Sequence, residues 1–346
     1  MSMGRLTKKR TGAFYLTNLL LTVVLFVVLY LLIDGKVLTG RYTTLITLVC
    51  VNVILAVSLN LVTGILGQLV LGHAGFMLVG AYASALFTKN VGMALPISFP
   101  ISLVLAGLLA ALFGVIIGIP ALRLRGDYLA IITLGFGEII RVLANADFLK
   151  PITNGAMGLG DIPTLYNRRT SPAGLFVYAF IIMVLVIVIN FSFGRSRHGR
   201  AVIAIREDEI AAESAGVNTT YYKLFAFVLA AFIAGVAGGL YANQIQVIDP
   251  AKFDFNRSVE ILIMVVLGGM GSITGSIISA TVLTVLPEML RGFDEYRMLL
   301  YSIILIAVML FKPSGLLGRY EISVPGLFMK LWNKLKHPKQ KTTGEA

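Results

Sequence analysis

The sequence predicts an all-α, polytopic integral membrane protein of about ten transmembrane helices (range nine to eleven), interrupted by one glycine-rich broken segment. Three observations predict it. Of 346 residues, 57% are hydrophobic and only 13% are charged, with a mean hydropathy of +0.88, whereas soluble domains carry about 25% charged residues. The charges lie between long apolar runs, and about 20 apolar residues are what a helix needs to cross the hydrocarbon. Lys and Arg also collect on alternate connecting segments, as in a chain that weaves through a bilayer.

The apolar runs follow in order. Ala13–Ile33 comes after the basic Lys8-Lys9-Arg10. It is longer than the core of a secretory signal, and no small-x-small cleavage site stands at Ile33-Asp34-Gly35, so a retained first helix is expected. Thr43–Val62 holds Cys50, the one cysteine, which therefore has no internal disulfide partner. Gln68–Phe87, Pro100–Leu122, Tyr128–Ala146, Ala173–Phe193 and Lys223–Asn243 are the next five. The eighth and ninth, Ser258–Gly268 and Ser276–Leu290, are separated by GGMGSITG (Gly268–Gly275), and the eighth is short. Met298–Phe311 is the last. The whole chain, 1–346, reads as one transmembrane domain with basic tails at 1–12 and 319–346 and a polar loop at 194–222. In the C-terminal tail Phe328, Leu331, Trp332 and Leu335 are spaced like one face of an interfacial helix; the alternative is a tail held to the surface by charge alone.

With ten spans, 18 of the 29 basic residues fall on the N-terminal side, 10 on the other, and Arg141 within a span. This bias puts both ends, and the 194–222 loop, in the cytosol. The net charge of +12 then sits mostly on the inner face, where it meets anionic lipid rather than nucleic acid.

The loop Gly194–Tyr222 is too charged to span and too patterned for a slack linker. Acids at Glu207, Asp208 and Glu209 suit the positive end of a helix, and Gly216 suits a left-handed cap. A short capped helix, Asp208 to Ala215, with Ala211 and Ala212 on a smooth face, is predicted there. Such a helix can plug a groove on a soluble partner, or be a solvated connector.

Glycine and charge inside the membrane mark the other candidates. GILGQLVLGHAGF (Gly64–Phe76) breaks the apolar pattern, and Asn60, Gly67, Gln68, Gly72, His73 and Gly75 in and beside it are candidates for a helix break or a pathway lining. The pairs Gly114/Gly118, Gly235/Gly239 and Gly271/Gly275 are spaced for close helix packing. Glu138 and Arg141 lie three apart in the fifth run and share a helix face. An intramembrane ion pair is a candidate functional site, or else a lock between two helices.

No catalytic cluster is legible. The histidines are scattered, no HExxH or GxSxG is present, and the one Gly-Lys pair, Gly35-Lys36, is followed by Val37 rather than by a hydroxyl residue. Hydrolysis of ATP through a phosphate loop is excluded, and neither a metal site nor a cofactor is expected in this chain. The scarcity of carboxylates in the spans argues against a proton relay.

SLNLVTGILGQLVLGHAGFMLVGAYASAL (Ser58–Leu86), RGDYLAIITLGFGEIIRVLAN (Arg125–Asn145), NGAMGLGDIP (Asn154–Pro163), GRAVIAIREDEIAAESAGVNTTYYKLFAFVLAAFIAGVAGGLYA (Gly199–Ala242) and VEILIMVVLGGMGSITGSI (Val259–Ile277) resemble successive blocks of the permease subunits of branched-chain amino acid ABC importers. The resemblance spans roughly residues 40 to 320. It implies a permease with two loosely related halves in a bacterial-type inner membrane, paired with a second similar permease. It also implies two ATPase subunits that hold ATP and magnesium, and an extracytoplasmic binding protein docking on loops such as Asp147–Pro172 and Ile245–Arg257. Arg206, Glu207, Asp208, Glu209, Ala211, Ala212 and Gly216 then become the ATPase-coupling residues, resembling the coupling loop of ABC importers in the spacing AAxxxG. The chain departs from that loop at Ile210, where the general pattern has Glu. The implied substrate is leucine, isoleucine or valine. Related permeases for urea, short amides or nucleosides are the alternative, and an ion-coupled secondary transporter is the alternative of another class.

Overall fold

The computed structural model describes residues 8–124, 126–165, 173–312, 315–318 and 321. Arg125, Arg168, Arg169, Arg319 and the proposed interfacial face Phe328–Leu335 lie outside the described residues, as do residues 1–7 of the N-terminal tail.

Thirteen α-helices follow among the described residues: α1 Lys8–Asp34, α2 Gly40–Asn60, α3 His73–Asn90, α4 Leu95–Ala121, α5 Asp127–Asn145, α6 Lys150–Thr153, α7 Gly174–Arg195, α8 Arg197–Glu207, α9 Glu209–Ser214, α10 Thr219–Ile245, α11 Phe255–Gly268, α12 Ile273–Met289 and α13 Arg297–Phe311. Each of the ten apolar runs holds a helix. Five helices are long and apolar enough to cross a membrane: α2 with its continuation to Leu66, α4, α7, α10, and α12 extended to Gly292. A sixth is added if α5 and the segment Asp147–Met157, bent from it by 60°, count as one span. The chain is thus a multi-pass helical membrane protein. At about 1.5 Å per residue, the 14 residues of α11 and 15 of α13 fall short of a hydrocarbon core of about 30 Å.

Small residues build the centre. In a membrane, helices associate by close packing rather than by hydrophobic expulsion of water. α10 carries Gly235, Gly238 and Gly239, and packs against both α3 and α4. Gly80 of α3 lies against the backbone of Gly235, and Gly238 lies against that of Met77. Gly107, Gly114 and Gly118 of α4 accept Phe232, Ala231 and Leu224 of α10. Two of the three glycine pairs read from the sequence therefore serve the α4–α10 seam; Gly275 instead meets Gly268, joining α12 to α11. Buried hydroxyls turn back onto their own helices, as Thr47 to the Thr43 carbonyl (2.9 Å) and Thr133 to that of Leu129 (2.9 Å), so these hydroxyls stay satisfied at depth.

Contacts sort the helix ends into two sets. In one set, Arg41 at the start of α2 pairs with Glu288 at the end of α12. There too Lys89 Nζ donates to the Gly160 carbonyl (3.1 Å), Gln244 Nε2 donates to that of Thr44 (2.7 Å), and Leu159 and Ile248 exchange backbone hydrogen bonds (2.9 Å each). The two loops expected on one side, Asp147–Pro172 and Ile245–Arg257, are thus stitched together through their described parts. In the other set, α8 and α9 gather the end of α2 and the start of α10.

Candidate functional site: the helix break and the loop seated on it

α2 does not stop at Asn60. It loosens into a π-helical turn, Leu61–Leu66, and then breaks, with no regular structure from Gly67 to Gly72. Gly67 has φ +77°, a conformation that glycine adopts without strain. At Gly72 a Cβ would strike the Thr133 carbonyl of α5. The sequence reading began the third helix at Gln68; α3 begins five residues later, because these two positions need a non-helical backbone and a close neighbour.

The start of α3 is held from outside. Thr133 Oγ1 of α5 accepts from Leu71 N (3.2 Å), and Ser258 Oγ of α11 accepts from Ala74 N (3.1 Å), supplying acceptors for amides just before and within the first turn, which have none in the helix itself. His73 is buried, with Nε2 3.1 Å from Ser58 Oγ. Ser58 donates its proton to the Ala230 carbonyl (2.8 Å), so it accepts from His73 Nε2–H. Asn60 Oδ1 accepts from Gly271 N (2.8 Å), while its buried Nδ2 has no partner among the described residues. Gly75 lies against Gly137 of α5. The structure therefore brings Asn60, Gly67, Gly72, His73 and Gly75 together, and leaves Gln68 half-buried at the rim. Ser58, Thr133 and Ser258 join them; the signal for each was a lone hydroxyl residue in an apolar run.

Arg141 Nε and Nη2 both reach Glu138 Oε2, at 2.8 and 2.7 Å. The two side chains are 31% and 35% exposed. The pair closes on one helix, three residues apart, and is not the lock between two helices offered as an alternative.

The polar loop holds two helices where one was predicted. α8 was missed: Ser196 caps it by accepting from Gly199 N (3.0 Å), and its Val202 and Ile205 are buried. The rings of His198, Tyr222 and Phe225 bind it to α10. α9 lies where the acids and Gly216 placed it. Asp208 Oδ1 accepts from Ile210 N (2.9 Å) and Ala211 N (3.0 Å). At the other end Val217 N reaches the Ala212 carbonyl and Gly216 N that of Glu213, with Gly216 at φ +84°, a Schellman ending.

The predicted coupling residues divide between two faces. Arg206 Nη1 donates to the Gly64 carbonyl (2.8 Å), and its stem packs on Gly67. Lys223 of α10, only 3% exposed, pairs with Glu209 at 2.6 Å. Ala212 is 6% exposed and seats α9 on the protein, so it is not on the smooth outward face expected for it. Glu207, Asp208, Ile210, Ala211 and Gly216 face outward, Ile210 at 66%. Among the described residues no three of His, Cys, Asp and Glu gather as a metal site requires.

A short, capped, outward helix rooted in a broken membrane helix is a transporter feature, and comparison identifies the kind. Residues 41–310 match the model of the branched-chain amino acid transport system permease component. The chain belongs to that family. A relative from Salmonella typhimurium (strain LT2), the high-affinity branched-chain amino acid transport system permease protein LivM, is 40% identical over 297 residues, covering 78% of this chain and 68% of its own length. The Pseudomonas aeruginosa permease protein BraD, of the same description, is 28% identical over 78% of this chain and 92% of its own. Among solved structures, an inward-facing metal-chelate type ABC transporter covers 86% of this permease and 98% of its own chain, at TM-score 0.45 and 16% identity. In this permease the matched region contains both the break and the seated loop.

Proposed function

We propose that the chain is the membrane-spanning permease subunit of an ATP-driven importer for leucine, isoleucine and valine. It works with a second, similar permease, two ATPase subunits and an extracytoplasmic binding protein, in a bacterial-type inner membrane with both termini cytosolic. The observation that carries the coupling is the division of the loop. α9 offers Ile210 and Ala211 outward, while Arg206 and Glu209 tie its root to the break and to α10. ATP and magnesium bind the ATPase partners. Their closure moves α9, and Arg206 carries that movement to Gly64, shifting the permease between outward and inward states. The single domain crosses the membrane ten times in this reading, with α1, α3, α11 and α13 completing the set beside the five long spans and the bent α5 pair. The substrate rests on family membership.

The test is reconstitution of the permease with its ATPases, second permease and binding protein in proteoliposomes. ATP-driven leucine uptake is expected, none from this chain alone, and competition by valine and isoleucine but not by urea, acetamide or uridine. Robust uptake by the chain alone under a proton or sodium gradient contradicts the proposal and favours a secondary transporter.

A further inference from the structure

Resting on that reading, we infer that Glu321 is a positioning residue for coupling: from beyond α13 it holds the Gly268–Ser272 turn, between α11 and α12, against the helix break that Arg206 reaches. Its carboxylate accepts from three donors on the first turn of α12, Ile273 N (2.7 Å), Thr274 N (3.3 Å) and Thr274 Oγ1 (3.0 Å). Those amides stand at the positive end of a helix, where a carboxylate is favoured and its hydrogen bonds are charge-assisted. The same returning segment serves the other side of the turn. Leu316 N donates to the Leu267 carbonyl (2.7 Å) and Leu317 N to that of Gly268 (3.3 Å), giving donors to the last carbonyls of α11. Residues 315–318 and 321 thus form a strap that closes two helix ends at once.

The turn touches both the strap and the break. On the strap, a Cβ at Gly269 would strike the Gly318 carbonyl, and one at Gly315 would lie 2.5 Å from Gly269 N. On the break, Gly271 N donates to Asn60 Oδ1 (2.8 Å), and a Cβ at Gly64 would strike Gly271 N. Gly64 is also the residue whose carbonyl takes the Arg206 hydrogen bond. Contact therefore runs from Glu321 through Ile273 and the turn to Gly64 and Arg206. Between turn and break it is backbone on backbone, with no side chain of the glycines to yield, and closely packed groups transmit a displacement rather than absorb it. Asn60 holds the turn through one hydrogen bond alone, so the grip of Glu321 on the far side of Ser272 fixes what Asn60 leaves free to pivot. Glu321 is exposed, so replacing it neither strands a buried charge nor opens a cavity, and the chain should still insert.

The test uses the complete importer in proteoliposomes and reads the leucine transported per ATP hydrolysed. Glu321→Ala should lower that ratio about fivefold or more, while the ATPases still co-purify. Glu321→Gln keeps one acceptor oxygen and should recover part of the loss. A residue that only caps α12 would lower the melting temperature and leave the ratio alone, so an unchanged ratio in Glu321→Ala overturns the inference. Should Glu321→Ala not reach the membrane, Glu321→Gln carries the test: a reduced ratio supports the inference and a wild-type ratio overturns it. Because Glu321 acts through the contact that Arg206 makes, Glu321→Ala added to Arg206→Met should lower the ratio little beyond Arg206→Met alone; losses that multiply as independent factors overturn the inference. A wild-type importer that moves no leucine sinks the functional proposal and this inference together. A wild type that moves leucine beside a Glu321→Ala variant of unchanged ratio sinks this inference alone.

Discussion

Arg206 Nη1 donates to the Gly64 carbonyl at 2.8 Å, joining the last turn of α8 to the π turn of a helix 142 residues earlier in the chain. Gly67 leaves room for the stem, and a Cβ at Gly271 would lie 3.5 Å from Arg206 Nη1. A carbonyl freed by a broken helix needs a donor at membrane depth, and the residue that supplies it belongs to the polar loop from which α9 projects. Loop and break are thus tied directly to each other.

Removing that donor should uncouple the importer. Arg206→Met keeps much of the stem and loses the charged hydrogen bond, worth about 1.5–3 kcal/mol, or roughly ten- to a hundred-fold. ATPase subunits should still co-purify, and the leucine transported per ATP hydrolysed should fall. An unchanged ratio would assign Arg206 to packing alone.

Glu209 and Lys223 should respond unequally. Lys223 is 3% exposed and Glu209 24%. Glu209→Gln strands a buried ammonium, with a cost of about 3–5 kcal/mol expected for one half of a buried pair. Lys223→Met leaves a carboxylate that water reaches, and should cost less. Thermal melting of the detergent-purified chain ranks the two; equal losses would place the pair in solvent.

The α3–α4–α10 centre should tolerate no added bulk. A Cβ at Gly235 would lie 2.6 Å from the Ala106 carbonyl. Gly235→Val should cost about 1–3 kcal/mol through overpacking and lower membrane abundance. Gly92→Val, where a Cβ meets nothing within 4 Å, is the control. Equal abundance of the two would show that the seam is loose.

Reporter fusions test the topology. Insertions in Asn154–Pro163 and in Ile245–Arg257 should report the same outer side, because Leu159 and Ile248 are hydrogen-bonded to each other. A fusion after residue 346 should report the cytosol. A C-terminal reporter on the same side as Ile245–Arg257 would break the ten-span arrangement.

Much of this was legible. Long apolar runs locate helices because the bilayer leaves the backbone little choice. Gly67, Gly72 and Gly216 marked the break and the cap, because the first needs a left-handed backbone, the second a close neighbour, and the third a helix ending. What stayed hidden was tertiary. α8 buries only Gly199, Val202 and Ile205, too short an apolar stripe to announce itself. The inward turn of Arg206, Glu209 and Ala212 depends on Gly64 and Lys223, which no local pattern connects to them. The span count is blurred because α3, sheltered among other helices, carries small and polar residues that hydropathy does not reward.

The central claim is that α9 is the surface through which ATPase subunits drive this permease. Ile210→Arg with Gly216→Val tests it most directly. Ile210 is the exposed apolar tip, and Val at φ +84° weakens the helix ending by about 1 kcal/mol or more, with no neighbour to clash. Neither change touches Arg206, Lys223 or the break, so membrane abundance should hold. ATPase co-purification and leucine uptake, measured in the same cells, should both be lost. Full uptake with the ATPase still bound would make the loop a solvated connector and contradict the account.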